Sequence, residues 1–153
     1  MKKIWIVLLS LSVMLSGCAG YAPGQQSYWD AQVKEMCERD GGVTFRGKVV
    51  VSKAEITALG KVGGFISIPP QALAKPTDPV FSVYQETAIR ESNPRVTRWE
   101  ETIYRRSDGA EIATTVRYRR AGGDFPAPAE PSSFSCPEEK EIFRQREAIF
   151  ELK

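Results

Sequence analysis

The sequence predicts an α+β fold, an antiparallel β-meander of about four strands with one helix near each end of the chain packed on it. Two observations carry this expectation. Residues 80–120 hold three runs rich in β-branched and aromatic residues, separated by Ser92-Asn93-Pro94 and by Asp108-Gly109. On either side of that stretch, apolar residues recur at helical spacing.

Ser27 is placed to cap a first helix over 28–39, with Trp29, Val33, Met36 and Cys37 on one stripe. Asp40-Gly41-Gly42 stops it, glycine supplying the left-handed geometry of a helix end. Residues 43–51 are rich in β-branched side chains and read as one strand. Ser52-Lys53-Ala54-Glu55 has capping-box spacing and starts a short helical turn reaching Leu59. The glycines and prolines of 60–79 read as loop, with one short strand over 65–68.

Asp108-Gly109 between two strand-like runs signals a two-residue hairpin loop of type I′. That loop length pairs Trp99 with Tyr118, Glu101 with Val116 and Ile103 with Thr114, a face continued by Arg105 and Ile112. On the other face Arg106 meets Glu111 and Glu100 meets Arg117. Phe81, Val83 and Ile89 alternate on the strand before the hairpin. Residues 121–135, with Pro126, Pro128 and Pro131, read as loop. Pro137 suits the first turn of a C-terminal helix, and Glu138 and Glu139 follow where the helix dipole favours acids. Ile142, Phe143, Arg146, Ile149 and Phe150 give that helix its packing face. There is no internal repeat, so 28–153 is read as a single domain.

Composition excludes several chemistries. The chain has no histidine, which removes the commonest general base and the commonest zinc ligand together. No Gly-x-Ser-x-Gly elbow, Ser-x-x-Lys pair or phosphate loop occurs. With Lys2 and Lys3 set aside in the leader, the 21 basic residues become 19, matching the 19 acidic ones. A balanced domain of that kind argues against a nucleic-acid partner. No metal or cofactor is expected, and no enzyme activity.

Met1-Lys2-Lys3 is a short positive segment followed by an apolar run from Ile4 to Leu15, too short to span a bilayer permanently and suited to an export signal. It ends in Leu15-Ser16-Gly17-Cys18, which resembles the lipobox of bacterial lipoproteins. The resemblance implies a signal peptide over 1–17, cleavage before Cys18, and lipid (palmitate among its acyl chains) on that residue. Residues 18–27 then form a lipidated, flexible tether rich in Gly, Pro and Gln. Ala19 follows the cysteine in place of Asp, which by the same resemblance implies sorting to the outer membrane, facing the periplasm.

Once Cys18 carries lipid, Cys37 and Cys136 remain as a pair in an exported chain, and a disulfide between them is expected. The segments Cys37-Glu38-Arg39-Asp40-Gly41-Gly42, Gly122-Gly123-Asp124 and Ser132-Ser133-Phe134-Ser135-Cys136-Pro137 resemble small uncharacterised proteobacterial lipoproteins. That resemblance implies a folded, disulfide-closed domain and no particular activity.

The densest polar segment supplies the binding candidates: Arg117, Arg119 and Arg120 beside the glycine-rich loop that carries Asp124. Guanidinium groups at a strand end suit a carboxylate or phosphate. The function expected is a non-catalytic binding or accessory module of the cell envelope, with the membrane as anchor and an envelope protein or peptidoglycan as partner. One alternative is a small-ligand carrier or sensor, with Trp99, Tyr118 and Phe125 lining a pocket beside Arg119. Another is a hydrolase using a carboxylate pair drawn from Glu86, Glu100, Glu101 and Glu111.

Overall fold

The computed structural model describes residues 24–126 and 129–153. The expected signal peptide, Cys18 and the tether as far as residue 23 lie outside the described residues. Among the described residues, no helix is long and apolar enough to cross a membrane.

Helix α1 (Gln25–Asp40) starts three residues earlier than the sequence suggested. Gly24, at φ 85°, turns the chain into it, so Ser27 does not cap, and 25–27 belong to the helix and not to the tether. The Trp29 indole donates back to the Gln25 side chain at 3.3 Å, tying down this added turn. The apolar stripe is as expected: Val33 and Cys37 are buried, with Trp29 and Met36 packed beside them. The glycine that takes up positive φ after the helix is Gly42, at 119°; Gly41 is extended and donates to the Cys37 carbonyl.

The single strand expected over 43–51 is two, β1 (Gly42–Phe45) and β2 (Val49–Val51). Between them the amides of Arg46 and Gly47 both turn to the Ile112 carbonyl, at 2.9 and 3.1 Å, which breaks the ladder and sends β2 away from the main sheet. Helix α2 (Lys53–Leu59) has its capping box: the Glu55 amide donates to the Ser52 hydroxyl, and the Ser52 amide donates to the Glu55 carboxylate at 2.7 Å. Gly63 and Gly64, both at positive φ, fold the following segment into a hairpin of β3 (Lys61–Val62) and β4 (Phe65–Ile66), where one strand was expected.

The three long strands are β5 (Val80–Arg90), β6 (Arg95–Arg105) and β7 (Glu111–Ala121). They form an antiparallel meander, ordered β1-β7-β6-β5. Strand β8 (Ser133–Cys136) also pairs with β7, within a segment expected to be loop.

The register of the central hairpin differs from expectation by one residue. Trp99 pairs with Arg117, Glu101 with Thr115 and Ile103 with Ala113, while Arg98 faces Tyr118 and Glu100 faces Val116. Among the described residues only glycines have positive φ, so Asp108 does not occupy a type I′ turn. Instead the Gly109 amide bonds back to the Arg105 carbonyl, and the Arg105 amide reaches Ala110, in a wider loop. Ile112 is then a bulge, extra to the ladder, and both Ile112 and Ala113 are fully buried.

This register gives the sheet two faces. Val96, Arg98, Glu100 and Thr102 share one with Arg120, Tyr118, Val116 and Thr114. Helix α1 covers it, in a cluster of Val33, Cys37, Val96, Val116 and Tyr118. Thr97, Trp99, Glu101 and Ile103 share the other with Arg119, Arg117, Thr115 and Ala113. There the larger core lies, Val49, Val51, Ile68, Val80, Ile103, Ile112, Ala113 and Ile149. On β5 the residues turned to that core are Val80 and Ser82; Val83 and Ile89, expected inside, are exposed, and Phe81 stacks on Tyr104.

The C-terminal helix α3 (Glu139–Arg146) is shorter than its apolar periodicity implied, and Pro137 lies ahead of it. A 3₁₀ turn follows, and β9 (Phe150–Leu152) pairs parallel with β2. Ile149 therefore enters the core from the turn and not from a helix face. The fold is α+β, with an N-terminal and a C-terminal helix, and Cys37 is joined to Cys136 across 99 positions of sequence.

Candidate functional site

Strand alternation separates the arginines that the sequence places together. Arg120 is 1% exposed on the α1 face. It donates to Asp30 at 2.6 Å, to the Ser132 hydroxyl and carbonyl, and to the Gly122 carbonyl. Every one of these partners belongs to the fold, so Arg120 ties α1 to the loop before β8 and is not open to a ligand. Asp124 also serves the fold: its carboxylate accepts from the Ser132 amide at 2.8 Å. Tyr118 is buried on the same face and donates to Asp40; burial first and that carboxylate second push its phenol up. Phe125 is 61% exposed. The pocket expected of Trp99, Tyr118 and Phe125 is therefore absent among the described residues.

Asp124 supports a pH prediction. Its hydrogen bonds from Ser132, the hydroxyl first and the amide second, hold its carboxyl below the usual range. A depressed folded-state pKa stabilises the fold above the ordinary carboxylate pKa, and this contribution is lost as pH falls through the depressed value. An NMR titration is expected to give Asp124 a midpoint below that of an exposed aspartate, with the Ser132 amide signal moving in step. A midpoint at the ordinary value would remove this role.

Arg117 and Arg119 point to the other face, with Trp99 beside them on β6. Ser133 and Ser135 of β8 and Glu139 at the start of α3 complete an open basin of about 360 Å³. A second recess of about 270 Å³ adjoins it and shares Trp99 and Arg119, adding Glu86, Arg95 and Thr97. Within this region Arg117 pairs loosely with Glu139 at 3.8 Å, and Arg95 with Glu86 at 3.0 Å. Arg119 is exposed, and its side chain makes no ion pair or hydrogen bond among the described residues. Trp99 is 39% exposed, an unusual amount of indole to leave uncovered. The basin thus offers an uncommitted planar guanidinium, a second one weakly held, two hydroxyl-bearing residues and an aromatic surface. Guanidinium groups take carboxylates or phosphates through paired hydrogen bonds, and an indole packs against the apolar face of a sugar or side chain.

The sequence singled out Arg117, Arg119 and Trp99, but missed Ser133, Ser135 and Glu139. Those three reach the basin through β8, whose four residues sit in a proline-rich stretch with little strand signal of their own. The acids considered for hydrolysis are each engaged by a cation: Glu86 by Arg95, Glu100 by Arg98, Glu101 by Arg146 and Glu111 by Arg46. Glu100 and Glu101 point to opposite faces, as their adjacency on a strand requires. Among the described residues no three His, Cys, Asp or Glu side chains converge to hold a metal ion. No protein-family model, curated protein or solved structure matches the chain.

Proposed function

We propose that this protein is a bacterial lipoprotein, held through lipid on Cys18 at the periplasmic side of the outer membrane, and that its domain is a non-catalytic binding module. Its ligand is a carboxylate-bearing component of the envelope, with peptidoglycan the first candidate. The Leu15-Ser16-Gly17-Cys18 lipobox supports the anchor, since two or more acyl chains at about 0.8 kcal/mol per buried methylene hold a protein on a bilayer durably. One observation carries the binding reading: Arg119 stands unpaired beside a partly exposed Trp99 in an open basin on a rigid sheet face. The 19 acids and 19 bases outside the leader favour local over long-range electrostatic capture.

Two experiments test this. Intact mass of the membrane-purified protein is expected to show acylation at Cys18, and Cys18→Ser is expected to leave the membrane fraction. In co-sedimentation with purified peptidoglycan sacculi, the detergent-solubilised lipoprotein is expected to pellet, and Arg119→Ala to bind about tenfold more weakly. A wild type that stays in the supernatant, or an Arg119→Ala variant that pellets equally well, would falsify the basin as a peptidoglycan site.

A further inference from the structure

Strand pairing lays out the basin face in rows. Arg117, Trp99 and Glu86 stand level on β7, β6 and β5, and the next row holds Ser135, Arg119 and Thr97 on β8, β7 and β6. The rows are roughly 7 Å apart and neighbouring strands about 5 Å apart. Arg119 therefore stands between two hollows. Towards β8 lies the basin of about 360 Å³, and towards β5 the recess of about 270 Å³, whose floor is low because Thr97 and Ala121 are short. Trp99 borders both. Small-ligand sites start at roughly 300 Å³, so each hollow suits one small ring and the two together suit a linked pair.

The surface also selects the chemistry of the ligand. Strands β6 and β7 are interior, so their amides and carbonyls are committed to the ladders. What the site offers is side chains: hydroxyls on Ser133, Ser135 and Thr97, an indole face, and charged groups. The Glu86–Arg95 pair, 3.0 Å apart and half exposed, sets an acceptor beside donors, as a sugar hydroxyl requires. A peptide would lay its own amides and carbonyls against a floor whose main chain is already paired. Ring sugars present hydroxyls and an apolar face, which these side chains match.

We propose that the two hollows take consecutive ring sugars of a glycan strand, with Arg119 holding a free carboxylate that one ring carries close to the linkage. The inference rests on the basin being an anion site, and it names the part of the envelope that fills it. Two sources have this chemistry. One is muramic acid, whose lactyl carboxyl is free only after water has cleaved its amide bond to the stem peptide, leaving a carboxylate and the peptide's ammonium group. The other is a uronic acid of an acidic polysaccharide. With the first source, an amide hydrolase must act on the glycan before this protein binds it.

The test is titration of the full-length lipoprotein in detergent, read by the Trp99 indole NMR signal, with Trp29 on the α1 face as internal control. The probes are the N-acetylglucosamine–N-acetylmuramic acid disaccharide, the same disaccharide bearing its stem peptide, N-acetylmuramic acid alone, chitobiose, digalacturonic acid and trialanine. The free-acid disaccharide is expected to bind about tenfold more tightly than its stem-bearing form, the single sugar, chitobiose or trialanine. Arg119→Ala, at an exposed position, should erase the advantage over chitobiose and leave chitobiose binding unchanged. Trialanine that binds as tightly as the disaccharide overturns the glycan and leaves the anion basin standing. A stem-bearing form that matches the free acid overturns the carboxylate beside the linkage, and a single sugar that matches it overturns the second ring. Binding of digalacturonic acid alone supports the acidic glycan and assigns it to the second source. Chitobiose that matches the free acid, or no Trp99 shift with any probe, overturns the anion basin as well.

Discussion

Replacing Cys37 and Cys136 together by serine is expected to lower the unfolding free energy by about 2–5 kcal/mol. The disulfide joins the last turn of α1 to the end of β8 and closes a loop of 99 positions, so most of the chain gains freedom in the unfolded state when it is cut. The folded state also loses a buried contact, since Cys37 is 6% exposed within the cluster of Val33, Val96, Val116 and Tyr118. Two polar ties would still hold α1 to the sheet, Arg120 to Asp30 and Tyr118 to Asp40. The variant should therefore fold, with a lower urea midpoint. A loss under about 1 kcal/mol would mean that the unfolded chain stays compact enough to gain little from the cut.

The second large effect is expected at the buried pair of Glu101 and Arg146, both 7% exposed in their side chains. Arg146→Met alone should cost about 3–5 kcal/mol, because it leaves the Glu101 carboxylate buried without its counter-charge. Adding Glu101→Leu in the same chain should recover most of that loss. A dry apolar pair avoids the desolvation that the ions incur, and neighbouring apolar groups such as Ile142 and Phe143 are already in place. A double-mutant cycle followed by urea unfolding measures the coupling directly. If the double variant is as unstable as the single one, α3 depends on the pair for its docking geometry.

The central meander was legible because its signals are local. Eleven-residue strands with dense β-branching and clear turn residues announce themselves, as do the Ser52–Glu55 capping box and the Trp29–Val33–Met36–Cys37 stripe. The hairpin register was not legible, since an Asp-Gly dipeptide fits both a two-residue loop and a longer loop with glycine last. The longer loop shifts the pairing by two residues, as in Tyr104 opposite Glu111, and the bulge at Ile112 takes back one, leaving the shift of one seen from Ile103 onward. That small error had consequences for the site. It moved Tyr118 to the wrong face, away from Asp40, and put Val116 where Thr115 stands opposite Glu101.

The candidate site divides along the same line. Alternation along β7 alone implies that Arg117 and Arg119 share a face that Arg120 does not, and the structure has them so. Nothing local indicates that Arg120 would be the buried one. Its burial depends on Asp30, 90 positions away, and on the Ser132 loop. Likewise Ser133, Ser135 and Glu139 reach Trp99 only because β8 docks on the edge of β7 left open beyond β1.

The sequence by itself determined the α+β class, the three long strands, the first helix, the second capped turn and the cysteine pairing. Each of these rests on periodicity, turn chemistry or a count that short stretches of chain carry within themselves. Only the tertiary structure decided the register, the splitting of 43–51 into two strands, the C-terminal strand β9, and the placing of α1 and α3 on opposite faces. These depend on which distant backbone amides and carbonyls find partners once the sheet closes, as when Arg46 and Gly47 turn to Ile112 or Phe150 pairs with Val49. Hydrogen bonds between residues far apart in sequence leave no periodic trace, because the chain only has to bring them together, not to repeat them.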